Sequence, residues 1–423
     1  MTVAGTRWTR RAWLGAVGAG AVPFARAVRA QAWPRVVVVG GGFAGATAAR
    51  YLAGLGITVT LVEPEAGYTA CPLSNVVLAG LRPMAAQQFD YRGLAAAGVS
   101  IVQDRAQEVD AERRRVTTAD GNALDYDRLI MAPGIDLAFD ALPGYDEAAA
   151  EVMPHAWKAG PQTLLLRRQL LAMEDGGTVV MAVPANPYRC PPGPYERASM
   201  IAYYLKTSKP RSKLLILDAK DQFSKGALFQ AAWKELYPGL LEWVPLSAGG
   251  AVIVVEPASR TLVTDFGRHR ADVANVIPPQ RAGSIAVTAG IADRTGWCPI
   301  EATSFESRLR PGIHVVGDAA IAGAMPKSAF AANAQAKACA MAVAAMLRDE
   351  PPPPQKLINT CYSLIAPDYG ISVAGVYEAV SGVWTEVPGS GGVSPRGADA
   401  AFRAKEALHA EAWYRSITAE IFA

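Results

Sequence analysis

Histidine is scarce in this chain: His155, His269, His314 and His409 are scattered over 423 residues. That excludes a His-rich metal site, and ordinary structural roles are read for all four. Cysteine is nearly as sparse. Cys71, Cys190, Cys298, Cys339 and Cys361 form no C-x-x-C pair and no C-x-x-C-H run, so a zinc cluster or haem attachment on this chain is not expected. Charge is low, at 19% of residues, and Lys and Arg are dispersed without interleaved aromatics, which excludes a nucleic-acid surface. No apolar run is long enough to span a bilayer. The 51% hydrophobic content suits a globular α/β protein with two or three domains.

The richest stretch is Arg35 to Cys71. Val36 to Val39 reads as a buried parallel strand. Gly40, Gly42 and Gly45 follow in the G-x-G-x-x-G pattern. The first permits a tight turn, the second lets backbone approach a pyrophosphate, and the third lets a helix sit close to the strand. Ala46 to Ala48 lead into a helix whose N-terminal N–H groups can hold phosphate. A second strand, Ile57 to Val62, ends in Glu63, placed to accept hydrogen bonds from a ribose diol. Glycines alone would be a common turn; strand, glycines, helix, strand and acid in that order predict a dinucleotide site.

The N-terminus is read separately. Thr9-Arg10-Arg11-Ala12-Trp13-Leu14, a mild apolar run from Gly15 to Phe24, and small residues at Ala30 and Ala32 resemble a twin-arginine export signal over residues 1–32. Loss of residues 1–30 removes five Arg and no acid, taking the formal charge from +3 to −2. Export to the periplasm is expected. An odd number of cysteines in an oxidising compartment leaves at least one thiol free, buried or bonded to something other than cysteine.

The first module is expected over 33–150. Val99 to Val102 reads as a strand, Gln107 to Val116 as a hairpin, and Tyr126 to Gly134 as a strand similar to the "YD-x-L-I-x-A-T-G" strand of two-dinucleotide flavoproteins, with Pro133 where that pattern has Thr. A second Rossmann-like module, 151–284, repeats the architecture. It has a helix at Leu164–Met173, strands at Thr178–Val183 and Leu214–Asp218, a helix at Glu196–Lys206, and hairpin and return strands at 251–255, 260–265 and 274–277. The chain then returns to the first module over 285–350. Gly312 to Ala319 ends in Gly317-Asp318-Ala319 and resembles the second FAD fingerprint of this flavoprotein class, with a helix over Ser328–Leu347 to follow. Pro351 to Pro354 reads as a linker. A smaller C-terminal α+β domain, 355–423, is expected to carry strands at Tyr362–Leu364 and Ile371–Tyr377. Its helix should run from an Asp399 cap to Ile421, its aromatic end favouring a docked core helix over a dimer or membrane face. The fold class is α/β: two Rossmann-like dinucleotide-binding domains, glutathione-reductase-like, plus that third domain.

The second module lacks the glycines of the first. Its loop is Pro184-Ala185-Asn186-Pro187-Tyr188-Arg189-Cys190-Pro191-Pro192-Gly193-Pro194-Tyr195-Glu196. Prolines remove N–H donors and fix the chain, so a nicotinamide nucleotide is not expected there in the usual way. The loop presents Cys190 and, six residues on, Glu196.

Five segments together (Tyr68–Asn75, Met153–Lys158, Pro184–Glu196, Met325–Ser328 and Asn359–Tyr362) make the chain resemble the flavoprotein subunit of flavocytochrome c sulfide dehydrogenase. It is similar, more distantly, to sulfide:quinone oxidoreductases. The resemblance implies FAD as cofactor, bound through Gly40, Gly42, Gly45, Glu63, Gly317, Asp318 and Lys327, and tethered covalently by Cys71. It implies that Cys190 and Cys361 form a redox-active disulfide beside the flavin, with Glu196 as the nearby proton acceptor. Cys298 and Cys339 have no implied role and read as small buried residues. Hydrosulfide, a soft nucleophile, can open a disulfide to leave a persulfide and a thiolate. Electrons would pass to a c-type cytochrome subunit. Quinone reduction, and an exported flavin-binding assembly protein without turnover, are the alternative readings.

Overall fold

The computed structural model describes residues 34–423, so the export-signal reading lies outside the described residues. Two parallel sheets carry the architecture. The valine run forms β1 (Arg35–Val39), followed by α1 (Phe43–Gly54) and β2 (Thr58–Val62). Strands β3 (Ser100–Val102) and β4 (Arg128–Met131) complete the first pass. The second module contributes α2 (Pro161–Ala172), β5 (Thr178–Val183), α3 (Gly193–Ser208), β6 (Lys213–Asp218), α4 (Gly226–Leu236), β7 (Leu241–Val244) and β8 (Val273–Val276). The chain returns as β9 (Ile313–Val315) and α5 (Ala329–Met346), then β10 (Lys356–Ala366), β11 (Tyr369–Val380) and α6 (Ala400–Phe422).

The first sheet has the order β9-β4-β1-β2-β3, all parallel, so a strand from beyond residue 300 completes a sheet begun at residue 35. The second has the order β7-β6-β5-β8, also parallel. Each module also carries a three-stranded antiparallel meander, 106–125 in one and 252–270 in the other, at the places where the two hairpins are expected. Strands β1, β4, β5, β8 and β9 are largely apolar and buried on both faces, which is why their sequences read as continuous runs rather than alternating ones, whereas the edge strands β3 and β7 are only partly covered.

Several local expectations shift. Helix α1 starts at Phe43, so Gly45 lies inside its first turn rather than ahead of it. Gly317-Asp318-Ala319 is a single 3₁₀ turn after β9, not the end of the strand. The two short strands expected near the C-terminus are pieces of long partners, β10 and β11, whose half-buried faces blur the pattern. Helix α4 and strand β7 have no counterpart in the sequence reading. The final helix docks as core: Phe422 stacks on Phe89 at 5.2 Å and on Tyr68 at 5.7 Å, and Tyr51 donates to Glu420 at 2.7 Å. Asp399 caps it, its carboxylate accepting from Phe402 N at 2.8 Å. Residues 34–423 thus close into one unit, with the C-terminal segment packed onto the first module.

Candidate active site

The carboxyl ends of the strands of the first sheet open onto a cleft of about 700 Å³, where ligands of open α/β sheets sit. Its first wall is the glycine loop. Gly40 sits at φ +98°, and a Cβ there would lie 2.3 Å from Ala132 O. At Gly45 a Cβ would lie 1.8 Å from Gly40 O, so only glycine lets α1 approach the strand end. Gly42 is the N-cap of α1 and has no side chain to cap it, which leaves the first N–H groups of the helix facing the cleft beside Phe43 and Ala44. Glu63 lines the same wall. Its Oε2 accepts from Gly41 N at 2.7 Å and its Oε1 from Glu65 N at 3.1 Å. Each oxygen keeps a second lone pair for a diol.

Gly317 and Asp318 line the same cleft, Gly317 close against the start of α1, where a Cβ on it would lie 2.9 Å from Ala44 Cβ. Asp318 is held in the turn after β9, and its Oδ1 is buried without a hydrogen-bond partner among the described residues; Trp157 Nε1 is likewise orphaned. Burial pushes the Asp318 carboxyl above the ordinary range, against the pull of Arg189 and Lys327. Buried polar atoms left unpaired at a cleft wall are costly unless a ligand satisfies them. With the open helix end and the glycine cradle, the residues fit FAD. Lys327, expected to bind cofactor, is not among the residues that line the cleft. Its Nζ donates to the carbonyls of Asp318 and Ala320, both at 2.8 Å, and lies 3.9 Å from the Trp297 ring centroid, so it braces the Asp318 turn from behind.

Three cysteines from distant segments line this cleft: Cys71, Cys190 and Cys361. Cys71 is half-buried beside Trp157 O, 3.8 Å away. Cys190 sits in the proline loop at φ +58°, unusual for a residue with a Cβ, and is pinned by its N–H to Lys327 O at 2.7 Å. Cys361 comes from the middle of β10, where Asn359 Nδ2 lies 3.4 Å from its sulfur. No cysteine is bonded to another in this structure. Burial pushes the Cys190 thiol far up, and the Cys361 and Glu196 charges add to it. Cys298 and Cys339 are fully buried.

Glu196 lies in the first turn of α3 and is buried. Burial raises its carboxyl to about 7, while Lys225, Asn75, Ser363 and Arg197 pull the other way. A carboxyl poised near neutrality can take and return a proton. Arg197 locks the neighbourhood. Its guanidinium donates to His155 O at 2.7 Å, Asn75 Oδ1 at 3.1 Å and Asn275 Oδ1 at 3.2 Å. The Met153–Lys158 segment is thereby fixed against the cleft. Arg197 and Lys225 carry no sequence motif. Their one available signal is position, in the βα loops and first turns at the carboxyl end of the second sheet.

The corresponding corner of the second module is filled. Asp218 ends β6 as Glu63 ends the stretch after β2, but it is fully buried. It accepts from Tyr195 OH at 2.6 Å, Trp243 Nε1 at 3.0 Å and Lys220 Nζ at 2.6 Å. Tyr195 stacks on Phe223 at 3.6 Å. Side chains occupy the acid that a ribose would need.

Comparison with known proteins agrees with this architecture. Residues 163–278 match the family described as the central region of the sulfide dehydrogenase [flavocytochrome c] flavoprotein chain. Residues 353–422 match the flavocytochrome c sulphide dehydrogenase flavin-binding family, and 34–163 the pyridine nucleotide-disulphide oxidoreductase family. The chain is 60% identical over 45 residues to the sulfide dehydrogenase [flavocytochrome c] flavoprotein chain of Chlorobaculum thiosulfatiphilum, covering 10% of this chain and 94% of that sequence. It is 23% identical over 307 residues to the mitochondrial sulfide:quinone oxidoreductase of Mus musculus, covering 67% of this chain. The match spans 65% of the length of that relative. Among solved structures, the sulfide:quinone oxidoreductase from Aquifex aeolicus superposes with a TM-score of 0.72 at 17% identity, over 92% of both chains. NDH2 from Plasmodium falciparum superposes with a TM-score of 0.69 at 10% identity, over 92% of this chain and 95% of that one. At such identities these two likenesses speak for the fold.

Proposed function

The chain belongs to the family of flavocytochrome c sulfide dehydrogenase flavoprotein chains, and from that premise we propose that it oxidises sulfide through a Cys190–Cys361 disulfide and FAD and passes electrons to a c-type cytochrome subunit. The observation that carries this reading is the meeting of Cys71, Cys190, Cys361 and Glu196 in one cleft with the glycine loop and Asp318. Gly40, Gly42 and Gly45 with the N-terminus of α1 would hold the pyrophosphate. Glu63 would hold the ribose diol, Gly317 and Asp318 the ribityl and pyrophosphate region, and Cys71 the ring through a thioether. Bound FAD supplies an acceptor for one electron pair and releases it as single electrons.

The chain's own residues do the rest. Hydrosulfide bonds to one sulfur of the disulfide and the other departs with the electron pair, giving a persulfide and a thiolate. Glu196 holds or takes the proton. The reaction site is assigned to the periplasm, following the export-signal reading; no helix among the described residues is long and apolar enough to cross a membrane. The test is anaerobic addition of sulfide to the purified protein. Flavin bleaching followed by cytochrome c reduction is expected. Absence of bleaching would point to a flavin-binding assembly protein, and preference for decylubiquinone over cytochrome c to a quinone reductase.

A further inference from the structure

Alternation along β10 puts Asn359, Cys361 and Ser363 on one face. The amide of Asn359 is oriented by Ser328 Oγ, which donates to its Oδ1 at 2.6 Å, so its Nδ2 is presented to the Cys361 sulfur. Lys225 reaches the same strand from the second module. It is the N-cap of α4, held at φ +61°, and its side chain is buried. Its Nζ donates to Cys361 O at 2.7 Å and to Ser363 Oγ at 2.8 Å. Among the described residues no carboxylate lies within 4.0 Å of that ammonium, so its close partners are neutral. Buried cations are ordinarily paired, because desolvation is otherwise uncompensated.

The charged and titratable groups around it are Glu196 and Arg197 on α3, Arg189 and Cys190 in the proline loop, Cys361 on β10, Tyr377 on β11 and Glu406 on α6. Burial draws the Lys225 ammonium down to about 8, and Cys361 opposes this first, then Glu196 and Cys190. Two groups can therefore answer this ammonium with a negative charge, the Glu196 carboxylate and the Cys361 sulfur once it is ionised, and it is the backbone carbonyl of Cys361 that Nζ holds.

We propose that Lys225 is a positioning residue whose ammonium is the counter-charge to the thiolate released when the Cys190–Cys361 disulfide opens. The inference rests on the sulfide-oxidation reading for its role in turnover. In that step the hydrosulfide sulfur forms a new S–S bond and the cysteine S–S bond breaks. The disulfide is reduced by the electron pair that sulfide gives up, and the pair stays on the departing sulfur. The hydrogen of hydrosulfide remains on the persulfide or passes to Glu196.

The test does not depend on turnover. The holoprotein, reduced under anaerobic conditions, is alkylated with iodoacetamide over a pH series, and the labelled Cys361 and Cys190 peptides are quantified by mass. Lys225→Gln keeps a hydrogen-bond donor without the charge; Lys225→Arg keeps the charge. In Lys225→Gln the midpoint of cysteine alkylation should rise by about one pH unit or more, so that labelling below the midpoint slows about tenfold, and Lys225→Arg should restore it. The disulfide of Lys225→Gln should also titrate against glutathione at a more negative potential. A Lys225→Gln protein that retains its flavin and its Tm, with an unmoved alkylation profile, overturns the proposal and leaves Lys225 a tether. If Lys225→Gln does not fold, an alkylation profile for Lys225→Arg displaced upward from wild type overturns it equally. A shifted profile in a protein whose flavin is not bleached by sulfide would instead refute the reading of function and keep the lysine's effect on the thiolate.

Discussion

Glu196 makes the protein's stability depend on pH in a direction opposite to that of most surface carboxylates. Burial lifts its carboxyl from 4.5 to about 7 in the folded protein. Below 4.5 the group is neutral in both folded and unfolded chains and contributes nothing. Between 4.5 and 7 the unfolded chain ionises while the folded protein holds the proton, so the unfolded state gains and stability falls. Above 7 both are ionised and the loss is complete. The shift corresponds to about 3 kcal/mol. A chain of ~400 residues unfolds with an entropy of about 0.8 kcal/mol per kelvin, so the loss is about 4 °C in Tm. Glu196→Gln cannot ionise and escapes this term, while every other titrating group is common to both proteins. The Tm of Glu196→Gln minus that of wild type should therefore climb by about 4 °C as pH rises from 4.5 to 7, read by differential scanning fluorimetry with flavin emission recorded in parallel. A difference that stays flat across this window would show that Glu196 ionises at its ordinary pH, and the argument from burial would fail.

The remaining expectations concern the cleft. Cys190→Ser and Cys361→Ser should each retain FAD and lose nearly all sulfide-dependent cytochrome c reduction; wild-type rates in both would remove the disulfide from the mechanism. Cys71→Ser should release its flavin into the supernatant on acid denaturation, whereas wild type should keep it; release from both would make Cys71 a wall residue only. Gly45→Ala sets a Cβ 1.8 Å from Gly40 O, a backbone atom that cannot swing away. It should cost about 1–3 kcal/mol and lower the flavin-to-protein absorbance ratio, and full flavin occupancy would contradict the close-approach reading.

The glycine loop, the strands beside it, Glu63 and the return strand before Gly317 were legible in the chain because they obey local rules. A G-x-G-x-x-G turn, a β run buried on both faces and a ribose acid about twenty residues on are set by backbone geometry over short spans. The prolines of residues 184–194 were equally plain, since a missing N–H is missing in any fold. Other features depended on partners far along the chain. Lys327 shares a motif with cleft residues yet turns to the carbonyls behind Asp318, and only packing against Trp297 decided that. Asp218 is, in the chain, no more than the last residue of a strand, and its partners Tyr195, Trp243 and Lys220 appear only in the fold. Lys225 carries no pattern at all; it matters because β10 crosses the second module and offers it the Cys361 carbonyl. Residue type and spacing were enough to show which side chains can do redox and dinucleotide chemistry. Their meeting in one cleft came from packing between distant segments, because burial and distance, not residue type, set a thiol's charge and a carboxyl's proton.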